Sequence, residues 1–343
     1  MIKIRSNGYK SKSLIADVSL GVFDGLDNAL WCYAFASIIF VGALAPFLPL
    51  LVVILLCGWA MFGTFVALTS EKPVHVVSLD EQAVVILAAI AALMVAHMGE
   101  TAATPIGLST MLAVMALSSL AVAVFFWGVG HYRLTRLLEL MPYPVICGFM
   151  AGIGWLLLEA GVGVAVDASV SELGEALQDP LKIAKLMLFV AGAIFLLISA
   201  TFMRRAWALP LASLVLVIAF YIVAAVKGLS MQQLVEYGWL FDIPQNTGGA
   251  LGLLRTASPG LIDTAFVISV LPEILTIAFL ALLNQSMSLS ALMAAGNQDL
   301  DTSSEIEDLG KGNLLCAAIA SPPGSTDVVA STIYEEFGAS SRW

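Results

Sequence analysis

Apolar runs of membrane-spanning length recur through this chain, and their recurrence restricts its possible folds more than any other feature. A helix needs roughly 20 apolar residues to cross a hydrocarbon core of ~30 Å. Windows of this kind cover 15–41, 47–68, 105–127, 145–166, 183–202, 207–226 and 264–293, with shorter ones at 84–95, 309–319 and 326–337. Composition agrees: 60% of residues are apolar and 12% charged, with mean hydropathy +0.96, whereas a soluble domain has roughly 25% charged residues. The chain of 343 residues therefore reads as an all-α, polytopic membrane protein with room for on the order of ten crossings.

Several chemistries are disfavoured by what the sequence lacks. The net charge of −10 supplies no basic patch for nucleic acid. His75, His97 and His131 are dispersed, and Cys32, Cys57, Cys147 and Cys316 are scattered through apolar runs, so no metal-ligand spacing arises. No Gly-x-Ser-x-Gly elbow and no Gly-x4-Gly-Lys-Ser/Thr loop occurs, which argues against serine hydrolysis and direct ATP drive. An enzyme, a metal or another cofactor is not expected. The basic N-terminus leads into no cleavable signal region. Lys3, Arg5, Lys10, Lys12, Arg133, Arg136, Arg204 and Arg205 fall on one side if each window crosses once, and Asp167, Glu172, Glu175 and Asp179 fall on the other. That bias predicts a cytoplasmic N-terminus.

Two interruptions look related. One runs from Ser70 to Glu81 through Pro73, the β-branched stretch Val74–Val77 and Ser78-Leu79-Asp80; the other is Ser321-Pro322-Pro323-Gly324-Ser325-Thr326-Asp327. Each sets a proline a few residues before a hydroxyl and an acid, as at the start of a helix. Irregular backbone at membrane depth must be shielded by protein or line a wet cavity. Facing half-helix N-termini near the midplane form the substrate site of inverted-repeat transporters, and their free N–H groups suit an anion. The expected substrate contacts are Val77, Ser78, Asp80, Gly324, Ser325 and Thr326, with Gly324 permitting close backbone approach. Ordinary helix capping explains the same hydroxyls, and Ser78 with Glu81 also fits a capping box.

Acids within the membrane sharpen the expectation, because a central carboxylate costs roughly 2.5–3.5 kcal/mol on insertion scales. Asp24 and Asp27 share a helix face, about 15 Å beyond the basic end of the chain at 1.5 Å per residue. Asp27, Asp80 and Asp327 are the expected coupling or ion-binding residues, and Asp24 is expected in a packing or polar-pair role. Gly148, Ala151, Gly152 and Gly154 suggest close helix packing or a hinge.

The segment Pro142-Tyr143-Pro144-Val145 running into Gly148, Gly152 and Gly154 is similar to the fifth helix of the SulP anion permeases. Glu305-Ile306 followed by Gly310 and Asn313 is similar to that family's Glu-Leu…Gly-x-x-Asn segment, and Gly338-Ala339 with Arg342 to its Gly-Ala-x-x-Arg motif. Residues 37–44 and Leu283-Asn284-Gln285-Ser286 most resemble the branch with fungal vacuolar members and bacterial members fused to cyclic-nucleotide-binding domains. The resemblance implies an inverted-repeat fold on a seven-plus-seven plan with two short half-helices. On that plan 1–13 is a cytoplasmic segment, 14–228 the first repeat, 229–263 an extracytoplasmic loop, and 264–343 the start of a truncated second repeat without a STAS domain. It also implies a multi-pass protein of the bacterial inner membrane, a possible homodimer when full length, moving sulfate, bicarbonate or a similar inorganic anion with H⁺ or Na⁺ as possible co-substrate. Asn284-Gln285 stands where many members carry a coupling glutamate, and Glu273 could compensate.

Carboxylates beside the half-helix starts would repel an anion unless protonated or joined by a cation. The expected function is cation-coupled transport of a small inorganic anion, which the family resemblance favours. The alternatives are transport of a cationic or zwitterionic substrate such as a basic amino acid, which the local electrostatics favours, and a non-transporting structural or regulatory piece.

Overall fold

The computed structural model of the protein describes residues 14–135, 143–166, 170, 173–203, 208–240, 249–296, 301–337 and 339. The sequence expectations resting on Lys3, Arg5, Lys10, Lys12, Arg136, Pro142, Asp167, Glu172, Arg204, Arg205, Gly338 and Arg342 lie outside the described residues. The chain divides into two compact units, Met1–Met150 with Gln245–Trp343, and Ala151–Pro244.

Long helices account for most of the first unit: α1 (Leu14–Ile39), α2 (Leu48–Thr69), α3 (Glu81–Met98), α4 (Pro105–His131) and the start of α5 (Tyr143–Val166). The second unit holds the rest of α5, then α6 (Pro180–Met203) and α7 (Ala208–Val226). The chain returns to the first unit with α8 (Leu271–Gly296), α9 (Thr302–Ala318) and α10 (Val328–Glu336). Local chemistry sets several starts. Prolines occupy the first turns of α2 and α4, where a missing N–H costs nothing. Pro272 likewise stands in the first turn of α8, where a missing N–H costs nothing, and a turn at Val270 separates the short helix Thr264–Ser269 from α8, dividing the window 264–293.

Among the described residues, five stretches are long and apolar enough to cross a membrane: Gly42–Thr69, Glu81–Ala103, Pro105–His131, Pro180–Ser199 and Leu271–Met293. α3 extends beyond its apolar window on both sides and reaches 18 residues, while α10 has only 9. Along α6 and α7, Met187, Leu197, Phe202 and Val226 are exposed, as lipid-facing positions of a spanning helix are.

The first unit is held by an apolar core that includes Phe40, Leu44, Leu51, Leu55, Phe62, Leu87, Ile90, Met94, Met111 and Phe126. The polar helix α9 is inserted against α4 at backbone distance. A Cβ on Gly310 would stand 2.7 Å from the Trp127 amide nitrogen, and one on Gly130 would stand 2.5 Å from the Ser303 carbonyl oxygen. Both positions require glycine because no side chain fits between the two backbones. α5 behaves otherwise. At Gly148, Gly152 and Gly154 an added Cβ would meet no heavy atom within 4 Å, so these glycines admit no close neighbour among the described residues. In the second unit Gly161 is crowded by the Phe189 ring and Gly238 by the Lys185 side chain, and Lys185 lies over the Trp239 ring, 5.9 Å from its centroid.

Candidate functional site

The two interruptions meet. Residues Val77–Leu79 (β1) and Gly324–Thr326 (β2) form an antiparallel pair in which Val77 faces Thr326, Ser78 faces Ser325 and Leu79 faces Gly324. The Asp80 amide donates to the Pro323 carbonyl (2.8 Å) and the Asp327 amide to the Val76 carbonyl (3.0 Å), extending the ladder at both ends. The β-branched stretch before Ser78 suits such a pairing, and the pairing satisfies backbone groups that would otherwise be orphaned inside the unit.

Each strand runs into a helix capped by its own aspartate. Asp80 Oδ1 accepts from the Ala83 amide (2.9 Å) at the start of α3, and Asp327 Oδ1 accepts from the Ala330 amide (2.8 Å) at the start of α10. This revises the expected capping box. Ser78 is held extended by its pairing with Ser325, so the N-cap falls two residues later, on Asp80. It also changes the electrostatics, because both helix ends that could receive an anion already hold a carboxylate.

In front of the ladder lies a cavity of about 100 Å³ lined by Asp24, Asp27, Asn28 and Trp31 of α1, by Ser78 and Glu81, and by Asp327. Its lining includes no Lys, Arg or His among the described residues. Asp24 also borders a larger cavity of about 410 Å³ lined by Asp17, Trp59, Thr64, Val74–Val77 and Tyr334. There the Tyr334 hydroxyl donates to Asp24 Oδ1 (3.0 Å) and Asn28 Nδ2 donates to the same oxygen (3.2 Å). Asp24 is thus both the polar-paired residue expected and a wall shared by the two cavities.

The remaining candidates lie behind the ladder. Asp80 is fully buried, and its second carboxylate oxygen has no hydrogen-bond partner, with the Asn284 and Ser325 side chains beside it. Gly324 does not leave room for a ligand, because its open side is filled by the Phe62 ring. Its backbone is gripped by Asn313, whose Oδ1 accepts from the Gly324 amide (2.8 Å) and whose Nδ2 donates to the Gly324 carbonyl (3.1 Å). Thr326 is held in the same manner by the fully buried Gln285: the Thr326 amide donates to Gln285 Oε1 (3.0 Å), and Gln285 Nε2 donates to Thr326 Oγ1 (2.7 Å). Val77 borders the larger cavity, and its carbonyl accepts from Trp59 Nε1 (3.0 Å).

Of the predicted residues, Ser78, Asp27 and Asp327 therefore line one pocket, while Asp80, Gly324, Ser325 and Thr326 are buried in the sheet that supports it. Glu273, in the first turn of α8, borders neither cavity. No local sequence signal marks Tyr334, and the Ser78–Glu81 spacing points to capping for Glu81 rather than to the lining position it takes. Asn313 and Gly310 were visible as a motif, but their tasks, gripping β2 and admitting α4, were not.

Residues 17–343 match the sulfate permease family. The chain is 23% identical over 232 residues to the vacuolar basic amino acid transporter VSB1 of Saccharomyces cerevisiae; this covers 66% of the chain but spans only 22% of that protein's length. Its fold is similar to that of the transmembrane domain of a cyanobacterium bicarbonate transporter, BicA (TM-score 0.64, 15% identity, 97% of this chain and 80% of that one). A second solved structure, SLC26A9, gives a TM-score of 0.61 at 12% identity over 96% of this chain and 52% of that one.

Proposed function

The chain belongs to the sulfate permease family, and from that premise we propose that it forms the membrane core of a secondary transporter whose pocket at β1–β2 receives a positively charged group. A basic amino acid is the substrate class that this pocket suits best. The supporting observation is its charge: Asp24, Asp27, Glu81 and Asp327 surround about 100 Å³, with the Ser78 hydroxyl and the Asn28 amide beside them and no basic side chain in the described lining. Four carboxylates gathered away from bulk water repel one another and an anion alike, and an ammonium or guanidinium group relieves that repulsion. The yeast relative carries a matching description, a vacuolar basic amino acid transporter.

A second reading has its own support. The family description and the likeness to a bicarbonate transporter favour a small inorganic anion such as sulfate or bicarbonate. In that case the acids carry the co-substrate, H⁺ or Na⁺, and neutralise the load. Asp27 and Asp327 serve either reading as ion-binding groups, and Ser78 as a hydroxyl ligand. Asp80 is the coupling candidate. One oxygen of this buried carboxylate lacks a hydrogen-bond partner, which is costly in a buried setting, and a proton on that oxygen reduces the cost. The cytoplasmic N-terminus, the bacterial inner membrane, the repeat boundaries at 228 and 264, and a homodimer belong to the same proposal.

The two readings separate in an uptake panel. With the full chain in proteoliposomes, labelled arginine, lysine, sulfate and bicarbonate are offered with and without an inward proton or Na⁺ gradient. Saturable arginine or lysine uptake with no sulfate or bicarbonate signal supports the first reading. Gradient-dependent anion uptake without basic amino acid uptake overturns it in favour of the second.

A further inference from the structure

A chain of buried polar groups leads away from Thr326 of β2 to Glu305 of α9. His75 Nε2 lies 2.8 Å from Thr326 Oγ1, its Nδ1 lies 2.7 Å from Ser70 Oγ, and the same Nδ1 is 3.5 Å from Glu305 Oε2. The His75 and Glu305 side chains are 1% and 2% exposed. Glu305 also accepts from the Glu71 amide, and Ser70 Oγ accepts from the Lys72 amide (3.1 Å).

Donor and acceptor roles along this chain follow from its two ends. The Thr326 amide donates to Gln285 Oε1, which fixes the orientation of that amide group, so Gln285 Nε2 must be the donor to Thr326 Oγ1. Of the two neutral tautomers, only the one in which the Thr326 hydroxyl proton points at an accepting His75 Nε2 gives that proton a partner within this chain of groups. A neutral imidazole accepting at Nε2 carries its proton on Nδ1. That proton is directed at Ser70 Oγ, and the Ser70 hydroxyl proton is left for Glu305, with which it interacts. Every donor has an acceptor, and the bonds run one way, from Gln285 through Thr326, His75 and Ser70 to Glu305.

We propose that His75, as the Nδ1–H tautomer, is a positioning residue that locks Thr326 and, through it, the Asp327 cap that faces the carboxylate pocket. The lock itself is independent of substrate; its bearing on transport rests on the function proposed above. A proton added at Nε2 ends the lock. Two donors then converge on Thr326 Oγ1, and the hydroxyl proton of Thr326 loses its acceptor, a cost that buried polar groups feel in full. The charged and titratable groups around the ring are Glu305 from α9, Asp17 and Asp24 from α1, and Tyr334 from α10, with Glu71 and the Lys72–Glu335 pair (2.6 Å) flanking it. Protonation would thus turn the 3.5 Å approach to Glu305 into an ion pair while loosening β2. A proton at His75 is therefore read out as mobility of the strand next to the pocket.

Two measurements on the full chain in detergent or nanodiscs test this without any transport assay, so their outcome is separate from that of the substrate proposal. In ¹⁵N-histidine-labelled protein, His97→Gln and His131→Gln variants identify the His75 signals. At neutral pH these are expected to be those of the Nδ1–H tautomer, the less common form in solution; an Nε2–H tautomer overturns the proposal. Hydrogen exchange of the peptide over 324–327 is then compared across variants and pH. His75→Ala is expected to speed it by about tenfold, the loss of one buried link. His75→Gln, whose amide both accepts and donates, is expected to restore most of the protection. In the wild type, exchange corrected for its intrinsic pH dependence rises as the His75 signals convert to the imidazolium form, and His75→Gln removes that rise. Equal protection in wild type and His75→Ala, or a wild-type pH response that persists in His75→Gln, refutes the lock.

Discussion

Gly324→Ala is the substitution that best separates a structural from a ligand-binding account of the site. The Cβ it introduces would overlap three carbons of the Phe62 ring, well inside the ~3.5–4.0 Å of ordinary carbon contact. The ring cannot retreat easily, since it is fully buried and a Cβ on Gly312 would stand 2.8 Å from it on another side. The strand cannot retreat either, because Asn313 holds the Gly324 N–H and C=O at 2.8 and 3.1 Å. Overpacking a rigid core in this manner costs typically 1–3 kcal/mol. Phe62→Leu alone forfeits part of the ~3–5 kcal/mol of a Phe→Ala truncation, yet it opens the space the new methyl needs. The double variant is therefore expected to be more stable than the sum of the singles by about 1–2 kcal/mol, within the range seen for residues in contact. Apparent unfolding midpoints of the four proteins in detergent, followed by tryptophan fluorescence, give the cycle. If Gly324→Ala unfolds with wild-type stability, or if Phe62→Leu brings no relief, the reasoning fails and the glycine is kept for something other than the ring.

Other outcomes follow from the same geometry. Asp327→Asn is expected to preserve stability within about 0.5 kcal/mol, because Asn caps a helix as well as Asp, while weakening uptake of a cationic solute; thermal unfolding and uptake measured together check the split. Asn313→Ala strands two buried backbone groups of Gly324 and is expected to cost about 2–6 kcal/mol at 1–3 per group, read as a lowered unfolding midpoint; near-neutral behaviour would count against the clamp. Gly310→Ala should destabilise the α4–α9 crossing, whereas Gly152→Ala, with nothing within 4 Å of its Cβ, should be neutral or gain up to about 1 kcal/mol of helix propensity. Tyr334→Phe removes one donor from Asp24 and is expected to alter the pH profile of uptake more than its maximal rate.

The helices were legible because bilayer physics writes them into single windows. Boundaries of α2, α4 and α7 fall within a few residues of the apolar runs at 47–68, 105–127 and 207–226. The paired interruptions were legible too, from proline, hydroxyl and acid in a fixed order. The family resemblance rested on motif residues such as Glu305, Gly310 and Asn313, whose tasks became visible only when α9 was seen against α4 and β2. In the sequence Gln285 is a departure from the family pattern, and His75 is one of three scattered histidines.

By itself the sequence determined that this protein belongs in a membrane, where its chain breaks, and that acids stand beside those breaks. It could not determine which acids face a cavity, since Asp80 and Glu81 are neighbours and yet one is sealed behind the ladder while the other borders the pocket. That choice was made by contacts between residues far apart in sequence: β1 on β2, Gln285 on Thr326, Asn313 and Phe62 on Gly324. Apolar periodicity is a local property, read within one helix. The side to which a buried carboxylate turns depends on which distant groups can satisfy its neighbours, and only the assembled tertiary structure brings those groups together.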